Sequence, residues 1–180
     1  MVIFGIILAA ILILAGILVI RTVTLKPTAA KNAEVKLENT DRAIAYGKRL
    51  AEMVRVETIS SRYAQNLEKY KKFQCTLEEL FPLVHKNCEK IEFDGSFLMK
   101  WTGKGNHEPI MLMSHQDVVE AGGEWEHEPF SGDIDEQGKV WGRGTVDTKA
   151  SLFCIFTAFE ELMEQGFEPE PKYSTHCDRQ

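Results

Sequence analysis

The chain has 180 residues, 44% of them hydrophobic, with 21 basic against 27 acidic residues and a net charge of −6. That composition excludes a disordered, collagenous or repeatedly membrane-spanning chain, and the mild acidity argues against a nucleic-acid binder. It leaves room for one modest globular unit.

In chain order, the first element is a run without charge. Residues 1–20 are hydrophobic apart from Gly5 and Gly16, and Arg21 closes the run. A helix over residues 2–20 nearly crosses a hydrocarbon core of about 30 Å. A cleaved signal peptide is the alternative, but its core is shorter and follows a basic start, whereas no basic residue precedes this run. The reading is a single-pass N-terminal membrane anchor over residues 1–21. Arg21, Lys26, Lys31 and Lys36 favour a cytoplasmic globular part, but with only Met1 upstream the side of the membrane stays open. Residues 22–39, polar and with one proline, read as a linker.

From Thr40-Asp41 the pattern predicts a helix with apolar positions at Ile44, Leu50, Met53 and Val54. Leu67 to His85 reads as a second helical stretch through Tyr70, Phe73, Leu77, Leu80 and Phe81. The period then changes to two. Ile91 and Phe93, an Asp94-Gly95 turn, and Phe97, Met99 and Trp101 predict a β-hairpin. Ile110 to Met113 reads as a buried strand, a polar stretch runs from Glu120 to Gln137, and Val140-Trp141 reads as a brief strand. Residues 150–163 predict an apolar helix ending near Gly166, with Cys154 in the core. Cys75 and Cys88 could pair in an oxidising space. The fold class is α/β, a mixed sheet flanked by helices.

Two polar clusters interrupt the apolar elements. The first is Ser114-His115-Gln116-Asp117, in which His115 and Asp117 share a face if the strand continues. A carboxylate behind an imidazole fixes its tautomer and makes it a good metal ligand. The second is Gly142-Arg143-Gly144-Thr145-Val146-Asp147-Thr148-Lys149, which presents Asp147 at a loop–helix junction. Carboxylates there can bridge divalent cations. Each cluster alone is weak: a lone His-x-Asp is more often a surface pair. The Gly-x-Gly turn could hold phosphate, although it fits neither the P-loop nor Gly-x-Gly-x-x-Gly. Of the remaining histidines, His127 lies between the clusters in sequence, while His85, His107 and His176 read as non-catalytic.

Taken together, Met111 to Val119 and Trp141 to Lys149 resemble the two signatures of the dinuclear-zinc peptidase family, which includes aminoacylases, dipeptidases, succinyl-diaminopimelate desuccinylase and carboxypeptidase S. Trp125 and Pro129-Phe130-Ser131-Gly132 fit between them, and Phe81-Pro82-Leu83-Val84 is most similar to the carboxypeptidase S branch. The resemblance covers about residues 40–167. It implies the N-terminal part of a zinc-exopeptidase-like catalytic domain and two zinc ions as cofactors. His115 and Asp147 would be metal ligands, Asp147 bridging, and Asp117 would act catalytically by orienting His115. Arg143 and Lys149 would support the loop. The implied substrates are short peptides or N-acyl amino acids, hydrolysed at the amide by zinc-activated water.

Against that pattern, the chain ends 33 residues beyond Asp147, without the family's acidic pair, further ligands or dimerisation domain. Glu160-Glu161 reads as the solvated edge of its helix. Residues 168–180 read as an aberrant, frameshifted tail where the family has a buried strand. The expectation is therefore a membrane-anchored piece of a metallo-carboxypeptidase or aminoacylase, inactive by itself and poorly soluble. The alternative is a non-catalytic membrane-anchored interaction module.

Overall fold

The structure is a computed structural model that describes residues 2–25, 41–61, 66–105 and 108–170, together with the backbone of 173–178. The chain divides into two units, Met1–Glu38 and Asn39–Gln180. The first contains helix α1 (Val2–Thr24), 23 residues without a buried side chain. At 1.5 Å per residue it is about 35 Å long. Among the described residues it is the one helix long and apolar enough to cross a membrane. Thr22 and Thr24 donate their hydroxyls to Leu18 and Ile20 carbonyls at its end. Most of the expected linker lies outside the described residues.

The second unit holds α2 (Asp41–Arg55), α3 (Glu68–Leu80), α4 (Pro82–Asn87), β1 (Glu89–Phe93), β2 (Ser96–Trp101), β3 (Ile110–His115), α5 (Ala150–Glu164) and β4 (Tyr173–Asp178). Helix α2 buries Ala51, Met53 and Val54, but Ile44, expected on that apolar face, is exposed in the first turns. The expected helix from Leu67 to His85 is two helices. Proline lacks an N–H and drives the preceding residue out of the α region. Phe81 accordingly sits at φ −134°, ψ 63°, and α4 restarts with Pro82 in its first turn. Asp94 and Gly95 both have positive φ, as a two-residue hairpin turn between paired Phe93 and Ser96 requires.

The sheet is mixed, in the order β1-β2-β4-β3. β4 is antiparallel to β2 and parallel to β3, so a segment read as an aberrant tail contributes a strand to the sheet interior. Backbone pairing on both sides asks nothing of side-chain polarity, which is why the hydrophobic pattern does not announce it. β3 was expected to be buried and is not. It lies at the sheet edge, where Ile110 to Met113 are between 37% (Leu112) and 62% (Met113) exposed. Val140 makes only an isolated bridge with Ile134, in place of the brief strand expected there.

The core lies between α5, α3, α4 and the buried face of β2. Phe156 meets Phe81 at 5.3 Å and Phe97 at 6.2 Å between ring centroids, and Trp101 meets Phe159 at 5.4 Å. Cys154 points away from this cluster and is exposed, because the buried positions of α5 are 152, 153, 156, 157, 159 and 160. Glu160 is buried as well, contrary to its reading as a solvated edge. Its carboxylate accepts the Leu83 and Val84 amides at 3.0 and 2.9 Å, satisfying the free N–H groups at the start of α4. Glu161 pairs with Arg42 and Tyr46. Cys75 and Cys88 are both free thiols.

Candidate metal centre

β3 delivers His115 at its C-terminal end, and the chain then runs beside residues 58–60. Val118 donates its amide to Thr58 O at 3.1 Å, Ser60 donates to Val118 O at 2.9 Å, and Thr58 Oγ1 donates to Gln116 O at 2.6 Å. Gln116 is fully buried and donates Nε2 to Gly95 O at 2.5 Å, a carbonyl that also accepts Gln74 Nε2 at 3.3 Å. This scaffold, with an isolated parallel bridge between Ile59 and Val118, pins the chain where β3 has ended.

His115 sits between two carboxylates. Its Nδ1 lies 3.0 Å from the Asp117 carbonyl oxygen and 3.2 Å from Asp117 Oδ1, and its Nε2 lies 3.2 Å from Asp147 Oδ1. Asp117 is buried, and its Oδ1 has no well-aligned hydrogen bond. Asp147, in contrast, has a side chain 90% exposed to the cleft. A proton on Nδ1, facing Asp117, leaves the Nε2 lone pair directed toward Asp147.

Asp147 lies in a kinked segment, Thr145–Lys149, that leads into α5, with Asp147 (φ −115°, ψ 91°) and Thr148 (φ −139°, ψ 31°) outside the helical region; the Asp147–Thr148 peptide is cis. Two glycines bring this turn close to its neighbours. A Cβ on Gly142 (φ +148°) would stand 2.4 Å from Val54 Cγ1, and one on Gly144 (φ +82°) 2.4 Å from Val118 Cγ1. No other residue allows both the conformation and the approach. The Gly-x-Gly element thus serves close packing against α2 and the Asp117 segment.

These residues open on a cleft of about 1050 Å³ that also receives Ser60, Tyr70, Val119, Trp125, Trp141 and Arg143. The Arg143 guanidinium lies 4.7 Å over the Trp125 ring and donates Nη2 to Glu120 O at 3.3 Å. His127 stacks on Trp141 at 4.5 Å, with its Nδ1 3.3 Å from Asp133 Oδ2, and does not line the cleft. Trp141 donates Nε1 to Asp135 at 2.9 Å; the Lys139 amide, this indole and the Gln137 amide hold the Asp135 carboxyl below its usual range.

Sequence reasoning left Lys149 as loop support without seeing its burial. It is fully enclosed, with Nζ donating to Met53 O at 2.9 Å and Val56 O at 2.6 Å, and burial pushes its ammonium down to about 7. The one sequence signal is its place at the head of an apolar helix. Residues 58–60 carried no signal at all. Among the described residues no group of three or more His, Cys, Asp or Glu side chains converges as a closed metal site. His115 meets Asp147 on one side of its ring and Asp117 on the other.

Residues 111–173 match the model described as Peptidase family M20/M25/M40. A probable carboxypeptidase S-like 2 of Dictyostelium discoideum is 37% identical over 136 residues, covering 71% of this chain and 26% of that protein. The N-fatty-acyl-amino acid synthase/hydrolase PM20D1.1 of Danio rerio is 35% identical, covering 93% of this chain and 35% of its own length. Among solved structures, the M20 family metallo-carboxypeptidase Sso-CP2 of Sulfolobus solfataricus superimposes with a TM-score of 0.60 at 19% identity, over 74% of this chain and 30% of that one. The chain thus spans between about a quarter and a third of the length of these curated relatives.

Proposed function

Starting from a segment of the M20/M25/M40 peptidase family in residues 111–173, we propose that this chain supplies part of the centre of a zinc-dependent amide hydrolase acting on short peptides or N-acyl amino acids. The observation that carries the reading is the His115 Nε2 to Asp147 Oδ1 approach of 3.2 Å, with Asp117 behind the other ring nitrogen. An imidazole and a carboxylate suit zinc, a metal of borderline softness. His115 would be a terminal ligand, Asp147 the carboxylate bridging two ions, and Asp117 the group that holds the Nδ1 proton and the ring direction. When bound, zinc would polarise the substrate carbonyl and lower the pKa of water.

The residues' own work is binding and orientation. Buried Asp117 keeps His115 in one tautomer, the two glycines hold Asp147 at the cleft rim, and Trp125, Trp141 and Val119 give the cleft an apolar wall for an acyl or side-chain group. The substrate class follows the relatives' names, carboxypeptidase and N-fatty-acyl-amino acid hydrolase. Helix α1 is proposed as the membrane anchor on its length and apolar surface. Among the described residues two protein donors meet, half of a tetrahedral shell, so we expect the 180-residue chain to bind zinc weakly and to turn over no substrate. A non-catalytic, membrane-anchored role is the second reading, favoured by the two donors found among the described residues.

Zinc titration of the purified chain, alongside hydrolysis assays with acyl-amino acids and dipeptides, tests this. Zinc uptake that disappears in His115→Ala and Asp147→Ala supports the assignment. Uptake unchanged in the double variant overturns it.

A further inference from the structure

The fully buried lysine stands beside the proposed metal ligands without touching the cleft. Lys149 Nζ donates to the carbonyls of Met53 and Val56, where α2 ends, and lies 5.0 Å over the Phe73 ring. Its amide donates to Gly144 O at 2.9 Å, and its stem runs past Gly144, whose α-carbon is packed against Val118. Two residues beyond Val56, Thr58 begins the set of hydrogen bonds that holds Gln116 and Val118. The Asp147 turn and the His115–Asp117 segment are thus far apart in sequence and share one buried anchor, the end of α2. Lys149 reaches it directly and His115–Asp117 reaches it through residues 56–60.

We propose that Lys149 is a positioning residue, a clamp whose ammonium holds the end of α2 so that Asp147 and His115 face each other at the separation a shared metal ion needs. The clamp rests on the metal reading above for its purpose, though not for its existence. An apolar side chain of equal length would fill the space and leave two buried carbonyls without donors. The helix end would then loosen, and residues 58–60 would lose their hold on 116–118.

The test uses the full chain in three variants. Lys149→Met removes the donors, Lys149→Arg keeps them, and Phe159→Leu weakens the core ten residues farther along α5, against Trp101. Hydrogen exchange is read at the amides of Val118 and Ser60 without metal, where Lys149→Met should exchange about tenfold faster or more. Zinc affinity, by competition with a chelator, should fall about tenfold or more. Phe159→Leu should lower the melting temperature and change neither readout, and Lys149→Arg should restore both. Wild-type exchange at Val118 in a folded Lys149→Met chain overturns the proposal, as does an equal local loss in Phe159→Leu. If Lys149→Met does not fold, Lys149→Arg decides: retained protection at Val118 supports the clamp, and its loss in a folded Arg variant overturns it. A wild-type chain that takes up no zinc, but whose exchange responds as expected, removes the metal reading and leaves the clamp.

Discussion

Strands β2 and β3 have similarly apolar sequences and opposite fates. β2 places Phe97, Met99 and Trp101 in the aromatic core under α5, while β3 leaves Ile110 to Met113 in contact with solvent. Apolar composition gives a strand the means to be buried, but its neighbours decide whether it is. β2 has a strand on each side and helices over one face; β3 has β4 on one side and an open edge on the other. The proposed metal ligand His115 sits at the end of the poorly covered strand, where the proposed Lys149 clamp, more than the core, would hold it.

The largest expected effect puts that contrast directly to the test. Phe156→Ala empties the centre of the aromatic cluster and should lower unfolding free energy by about 3–5 kcal/mol. Met113→Ala, on the exposed edge, should change it by about 0.5 kcal/mol or less. Urea denaturation of the globular unit measures both. Equal losses would mean that β3 is covered in solution, and the contrast would fall.

This difference also marks the limits of what the sequence discloses. Helices α2 and α5 and the Asp94-Gly95 hairpin were legible because their patterns are local. The break at Phe81 was missed although Pro82 was in view, since the flanking apolar positions keep helical spacing across it. For β3 the strand was legible but its exposure was not, and β4 gave no strand signal, for a different reason. Edge or interior position is set by partners distant in sequence, and a polar strand such as Tyr173–Asp178 is defined by its pairing alone. At the candidate site, His115, Asp117 and Asp147 were singled out because their two clusters together resemble the family's signatures, each cluster alone being weak. Lys149 and Glu160 were not, because charged residues beside a helix ordinarily face water, and only tertiary contacts show that these two are enclosed.

A second prediction concerns the clamps. Gly144→Ala must fit a methyl group 2.4 Å from Val118 Cγ1 at φ +82°. It should cost about 2 kcal/mol and move the backbone amide signals of 116–118 more than those of α5. Uniform shifts across both regions would argue that Gly144 serves the core as a whole.

The smallest effect is one of pH. Cys88 is buried, and desolvation, with a lesser contribution from Glu160, pushes its thiol up to about 12. A folded-state value above the unfolded one near 9 means that this thiol's contribution is complete below pH 9 and is lost as pH rises toward 12. A Cys88→Ala chain should therefore lose less stability than wild type between pH 8 and pH 10, by an amount under about 1.4 kcal/mol per unit of pH. Thiol labelling followed by peptide mass analysis should modify exposed Cys75 and Cys154 in the folded chain and reach Cys88 only on unfolding. Early labelling of Cys88 would show that the core beside α4 opens as readily as the edge.

Hairpin tips are usually where a fold tolerates insertions. Here the Gly95 carbonyl is bonded by Gln74 from one side and Gln116 from the other, so the tip of β1–β2 is tied to the residue between His115 and Asp117. Lengthening that turn by one residue would move the joint that carries the His115–Asp117 segment. In this chain the hairpin tip is a fixed length, set by a site it never enters.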